Sequence, residues 1–152
     1  MNLPYGVSGF YNSAEEKPPE MDISKYKEFC YSLARSLDGE LLGFSDSLYP
    51  ANFCKADFKL PSSAVSLVMN KHYPILAFAA AVDAVKIEFI DFSTGNAVVP
   101  DGFTVLRPAT LETQVPENLE YLPPNHLNQG ELEQIKYWKP ETIGQIIFNF
   151  WD

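Results

Sequence analysis

The sequence is poor in the residues that carry most enzyme chemistry. Among 152 residues there are two cysteines and two histidines. Cys30 and Cys54 form no paired spacing, and His72 and His126 have no cysteine, histidine or carboxylate at ligand spacing. No zinc site or other metal centre is expected. Phosphate-cradling glycine loops, an EF-hand and a CxxC are all missing, so no cofactor is expected either. Cys30 lies on the apolar side of a predicted helix and Cys54 opens a strand-like run. Both are read as buried, reduced thiols of a cytosolic protein.

Long hydrophobic runs are missing too. The longest, ILAFAAAV at 75–82, is far below the roughly 20 residues of a membrane span. The opening MNLPYGVSGF shows neither a basic n-region nor an apolar h-region, so no secretory signal is read there. A soluble, cytoplasmic protein with no membrane partner is expected.

Basic residues are scarce. Eleven Lys and Arg face 20 Asp and Glu, for a formal net charge of −9. Such a surface repels nucleic acid and anionic membrane. The imbalance is uneven. Between residues 87 and 135, Arg107 is the only Lys or Arg, against Glu88, Asp91, Asp101, Glu112, Glu117, Glu120, Glu131 and Glu133. These charges are either a solvated face or an electrostatic face for a basic partner, which they would steer into rapid encounter. On the second reading the candidate contacts are Glu112, Glu117, Glu120, Tyr121, Glu131 and Glu133. Asp91 and Asp101, on hairpin turns, are a second choice.

What remains is an ordinary globular composition, 46% hydrophobic and 20% charged. Residues 1–152 read as one domain, long enough to bury roughly 70% of its unfolded surface. Leu3, Tyr5 and Val7 alternate as a short strand would. Apolar residues at 23, 26, 30, 33 and 37 predict a helix over about 22–37, capped by Asp22 or Ser24 and ended at Asp38-Gly39. ELLGF reads as a short strand, and SDSLYPAN as a loop. FCKADFKL alternates with period two, as in an antiparallel sheet with one wet face. Ser62 and Ser63 suit the cap of a short helix through Met69. YPILAFAAAVDA reads first as helix, because Pro74 suits a helix start and alanine favours helix, with a buried strand as runner-up. VKIEFIDF reads as a strand, and VVPDGFTVL as two strand pieces about a Pro-Asp-Gly turn. Residues 108–130 read as irregular, with a short strand at ATLETQV. The tail IKYWKPETIGQIIFNFWD places Ile143, Ile146, Ile147, Phe150 and Trp151 on one helical stripe, predicting a core helix over about 141–151. The fold class expected is therefore α+β: an antiparallel sheet from the 53–60 and 85–106 regions, packed by helices at 22–37 and 141–151.

Catalytic motifs are absent or imperfect. GVSGF at 6–10 is one residue too short for the nucleophile elbow G-x-S-x-G. DFSTG at 91–95 resembles an aspartic-protease loop but has no second copy, and reads as a turn. Two histidines and a lysine would serve a metal-free ribonuclease, yet the acidic field opposes a polyanionic substrate.

The stretch YWKPETIGQIIFNFWD at 137–152 resembles the ending of small bacterial immunity proteins, the antidotes of contact-dependent inhibition and related polymorphic toxin systems. The resemblance covers about one tenth of the chain. It implies a single acidic domain without catalytic residues that binds and neutralises a cognate toxin domain, often a basic nuclease. It transfers no contact position, because toxin-facing residues differ between pairs; the motif itself reads as scaffold. An adaptor or assembly subunit with an exposed aromatic patch and a small hydrolase with a carboxylate pair are the alternatives.

Overall fold

In a computed structural model, residues 1–45 and 50–152 are described; half of the SDSLYPAN loop reading, residues 46–49, lies outside them. The architecture is α+β, built on a six-stranded, mainly antiparallel sheet. Helix α1 (Ser24–Ser36) precedes strands β1 (Glu40–Ser45), β2 (Phe53–Lys59), β3 (Ala64–Asn70), β4 (Ile75–Val82), β5 (Ile87–Phe89) and β6 (Thr104–Val105). Strands β1 to β5 form a meander in sequence order. β6 pairs in parallel with the start of β4, while β5 pairs antiparallel with its end. Helix α2 (Pro108–Leu111), a 3-10 turn (Leu119–Tyr121), α3 (Gln129–Trp138) and the single turn α4 (Gly144–Ile147) complete the chain.

Both faces of the sheet are covered, and the strand sequences show why. Cys54, Ala56 and Phe58 of β2, Val65, Leu67 and Met69 of β3, and Leu76 and Phe78 of β4 pack with α1 residues Tyr26, Phe29, Cys30 and Leu33. The intervening Phe53, Val68, Ile75 and Ala77 point to the opposite face. There they meet Leu3 and Val7 of the N-terminal loop, Leu111, Ile135, and the tail residues Ile143, Ile146, Ile147, Phe148 and Trp151. Each large side chain buried this way contributes about 1.5–3 kcal/mol.

This double burial corrects two sequence readings. A strand covered on both faces reads as a continuous apolar run, so ILAFAAAV is β4 and not a helix. Ala64–Asn70 is likewise strand β3, paired with β2 and β4, and not the helix that Ser62 or Ser63 would cap. The helix expected over 22–37 is α1, Ser24–Ser36, and its cap position is Ile23, which makes no side-chain cap bond, rather than Asp22 or Ser24. The Asp22 carboxylate accepts the amide and hydroxyl of Ser24 at its start. Its left-handed terminal residue is Asp38, φ 52°, rather than Gly39. Gly39 serves close approach instead, since a Cβ there would lie 2.6 Å from Leu60 Cδ2.

The helix expected over 141–151 is one turn, Gly144–Ile147. Ile143, Ile146, Ile147 and Trp151 are buried as the stripe requires, but the backbone turns extended at Phe148, φ −126° and ψ 101°. Asn149 supplies the reason. Its side-chain amide donates to the Ile146 and Ser8 carbonyls, and its backbone amide donates to Asn52 Oδ1. An asparagine that bonds nearby backbone competes with helical continuation. The N-terminal alternation at 3, 5 and 7 gives only an isolated bridge, Leu3 to Asn125. The Pro-Asp-Gly turn forms, with the Phe103 amide donating to the Pro100 carbonyl and Gly102 at φ 85°, but only its second flank is a strand. The strand expected at ATLETQV is the helix α2 followed by a single bridge, Gln114 to Thr142.

Candidate functional site

The proposed contact residues separate into groups. Glu131 is removed from the surface altogether: it is fully buried at the start of α3. Asn128 caps that helix by accepting the Glu131 amide, and Glu131 returns a bond from the Asn128 amide, a capping box. The same carboxylate accepts the Gly6 amide at 2.6 Å, the Ser8 amide at 2.9 Å and the Ser8 hydroxyl at 2.6 Å. Gly6 adopts φ 77°, which lets the loop curl around the carboxylate. Glu15 completes the helix start by accepting the Gln129 and Gly130 amides. The Asn12 amide first, then those of Gly130 and Gln129, hold the Glu15 carboxyl below its ordinary range. Ser8, the serine of GVSGF, is buried in this arrangement as a structural donor.

Asp91 and Asp101 stand apart from the rest. Asp91 is paired with Arg107 Nε at 2.8 Å, so its charge is offset. Asp101, exposed on its turn, borders a depression shared with Met21, Lys25 and Phe103. Glu120, Tyr121 and Glu133 are exposed, Tyr121 at 77%. Glu117 lies on a depression of about 520 Å³ with Leu119, Ile135, Lys136, Lys139 and Glu141, a surface of mixed charge.

Glu112 borders a cleft of about 410 Å³ between the Asp83–Lys86 turn and the C-terminal segment. Backbone pairing assembles it. The Val115 amide donates to the Glu141 carbonyl and the Ile143 amide to the Thr113 carbonyl, bringing Glu112 and Glu141 onto one cleft. Lys139 at φ 50° ends α3 and, with Pro140, redirects the chain into this pairing. Gly144 permits the approach, since a Cβ would lie 3.0 Å from the Leu111 carbonyl oxygen and 2.9 Å from Phe89 Cε2.

Aromatic rings line the cleft. Phe148 and Trp151 are buried beneath it, Phe150 is half-buried, and Trp138 is 39% exposed. The Trp138 and Trp151 rings are parallel within 3°, with centroids 6.3 Å apart. The Trp138 indole N–H donates to Gln134 Oε1 at 2.9 Å, which fixes its orientation. Tyr137, 75% exposed, packs edge-on against Trp138, and Phe10 lies against Trp151. Asp83, Lys86, Glu112 and Glu141 supply the charges along the cleft. The Lys86 and Val85 amides hold the Asp83 carboxyl below its ordinary range.

The sequence reading missed Glu141, Trp138 and Tyr137 as surface groups. The signal was present: Asn128 and Glu131 are three apart ahead of Ile135, the pattern of a capped helix whose far end carries Tyr137 and Trp138.

The cysteines and histidines have simple surroundings. Neither cysteine is in a disulfide, both are buried, and burial pushes the Cys30 thiol up to about 12. His72 Nδ1 lies 2.7 Å from the Pro19 carbonyl oxygen, and His126 Nε2 lies 3.3 Å from Asn2 Nδ2. Among the described residues, no group of three or more His, Cys, Asp and Glu is placed to hold a metal ion. No helix among them is long and apolar enough to cross a membrane. No family model matches the chain, no curated protein matches it in sequence, and no solved structure matches it in fold.

Proposed function

We propose that the chain is a cytoplasmic immunity protein. It binds a cognate toxin domain, basic and nuclease-like, and neutralises it without chemistry of its own. The observation that carries this reading is the pairing of unneutralised carboxylates with exposed aromatic rings on one side of the molecule: Glu112 and Glu141 on the cleft, beside Trp138 and Tyr137. Aromatic anchors supply most of the energy at protein interfaces. An excess of charge of one sign sets the encounter rate and selects partners of the other sign. The net charge of −9 suits a basic protein partner and opposes nucleic acid. The likeness of 137–152 to immunity-protein endings supports the reading through scaffold alone. Trp151 is buried and Phe150 half-buried, while Tyr137 and Trp138 reach the surface.

The test is co-expression of the tagged chain with the C-terminal portion of the protein encoded immediately upstream in its native operon. A stoichiometric complex, with growth restored when the partner alone is toxic, is the expected result. A complex with a non-toxic partner would transfer the surface to an adaptor role. Neither a complex nor toxicity would overturn the reading.

A second reading takes support from Glu112 and Glu141 sharing one cleft, as a small hydrolase with a carboxylate pair would require. Turnover of a glycoside panel that disappears in Glu112→Gln and in Glu141→Gln would establish it.

A further inference from the structure

We propose, resting on the protein-binding reading above, that the cleft beside Trp138 is a receptor for one arginine or lysine side chain projecting from the partner. Two features of the cleft argue for a cation. Among the described residues, the Glu112 and Glu141 carboxylates take part in no ion pair and no side-chain hydrogen bond. An apolar occupant would take water from these carboxylates and return nothing, which is unfavourable for each group left unsatisfied. An anionic occupant would face Asp83, Glu112 and Glu141 with only Lys86 in its favour. A cation is the occupant whose charge complements this net negative lining.

The rings add the second argument. Trp138, 39% exposed and oriented by Gln134, gives the cleft an aromatic wall on which a cation can pack. A guanidinium meets both demands at once, since its plane stacks on an indole while its N–H fork reaches carboxylates. The volume of about 410 Å³ leaves space for the aliphatic stem as well.

Both tryptophans of the chain line this cleft, so their indole N–H resonances report on it. The full-length protein, labelled with nitrogen-15, is titrated with a capped Gly-Arg-Gly peptide and with its citrulline counterpart, which keeps the shape and removes the charge. Both indole signals are expected to move with the arginine peptide. The citrulline peptide, and the variant carrying Glu112→Gln with Glu141→Gln, should each bind at least about threefold more weakly. Silent indole signals, equal response to citrulline, or unchanged binding in the double variant would each overturn the proposal. The same variant separates this idea from the one beneath it. Toxin capture that survives in the double variant removes the cleft and keeps the immunity reading. An arginine response in a chain that captures no toxin does the reverse.

Discussion

Glu131 accepts both the amide and the hydroxyl of Ser8, at 2.9 and 2.6 Å, across 123 positions of sequence. The carboxylate is buried and has no basic side chain among its hydrogen-bond donors; oriented amides of the loop and of Asn128 serve instead. Removing it orphans several buried donors together. Glu131→Ala is expected to destabilise the fold by about 3–5 kcal/mol. Urea unfolding checks this: a midpoint equal to that of the parent would mean that the N-terminal loop is held by other contacts.

Acid should weaken the fold through carboxylates that backbone amides stabilise. Glu15, Asp22 and Asp83 have lowered values in the folded state, for which the Asn12 amide, the Ser24 hydroxyl and the Lys86 amide respectively are the largest causes. The unfolded chain therefore takes up protons first. Their contribution is complete above about pH 4–4.5, the ordinary carboxylate range, and is lost as pH falls through the lower folded values. Thermal melts between neutral and acid pH should show the parent losing more stability than Glu15→Gln. Parallel profiles would remove Glu15 from the acid response.

The two thiols should be inert in the folded protein. Burial raises the Cys30 thiol and both sulfurs lie inside the layer between α1 and the sheet. Dithionitrobenzoate is expected to titrate neither thiol natively and both in denaturant. Fast native reaction at either position would show that α1 opens from the sheet.

If the acid-rich segment guides a basic partner, Glu117→Lys combined with Glu120→Lys should slow association and flatten its salt dependence. Stopped-flow binding at two ionic strengths is the measurement. An unaltered on-rate would take this segment out of the encounter surface. Glu131 is no longer part of that expectation, because it never meets solvent.

What is legible in the sequence divides along physical lines. Helix α1 and strand β2 can be read because each has one wet face and one dry face, so their periods are visible. β3 and β4 are misread because both of their faces are covered, and a strand without a polar side has no period to show. The tail has the expected burial in a different conformation: its stripe of Ile143, Ile146 and Ile147 is in the core, while Asn149 diverts the backbone. Acid count points to the 87–135 region but does not separate Glu131, which caps a helix, from Glu112, which faces solvent. That difference depends on the loop at residues 6–8, far away in sequence.

Three buried asparagines tie the N-terminal loop, two strands and the C-terminal segment together. Asn52 and Asn70, at the ends of neighbouring strands, each donate to the Val7 and Ile147 carbonyls. Asn149 adds bonds to Ser8 and Asn52. Loop closures this long are entropically expensive and late. The sheet face opposite α1 lacks part of its cover, and Asn52 and Asn70 their Ile147 acceptor, until residues 146–149 have been synthesised. The cleft at Glu112 and Trp138 is lined by Phe148 and Asn149, so it forms only once that segment is in place.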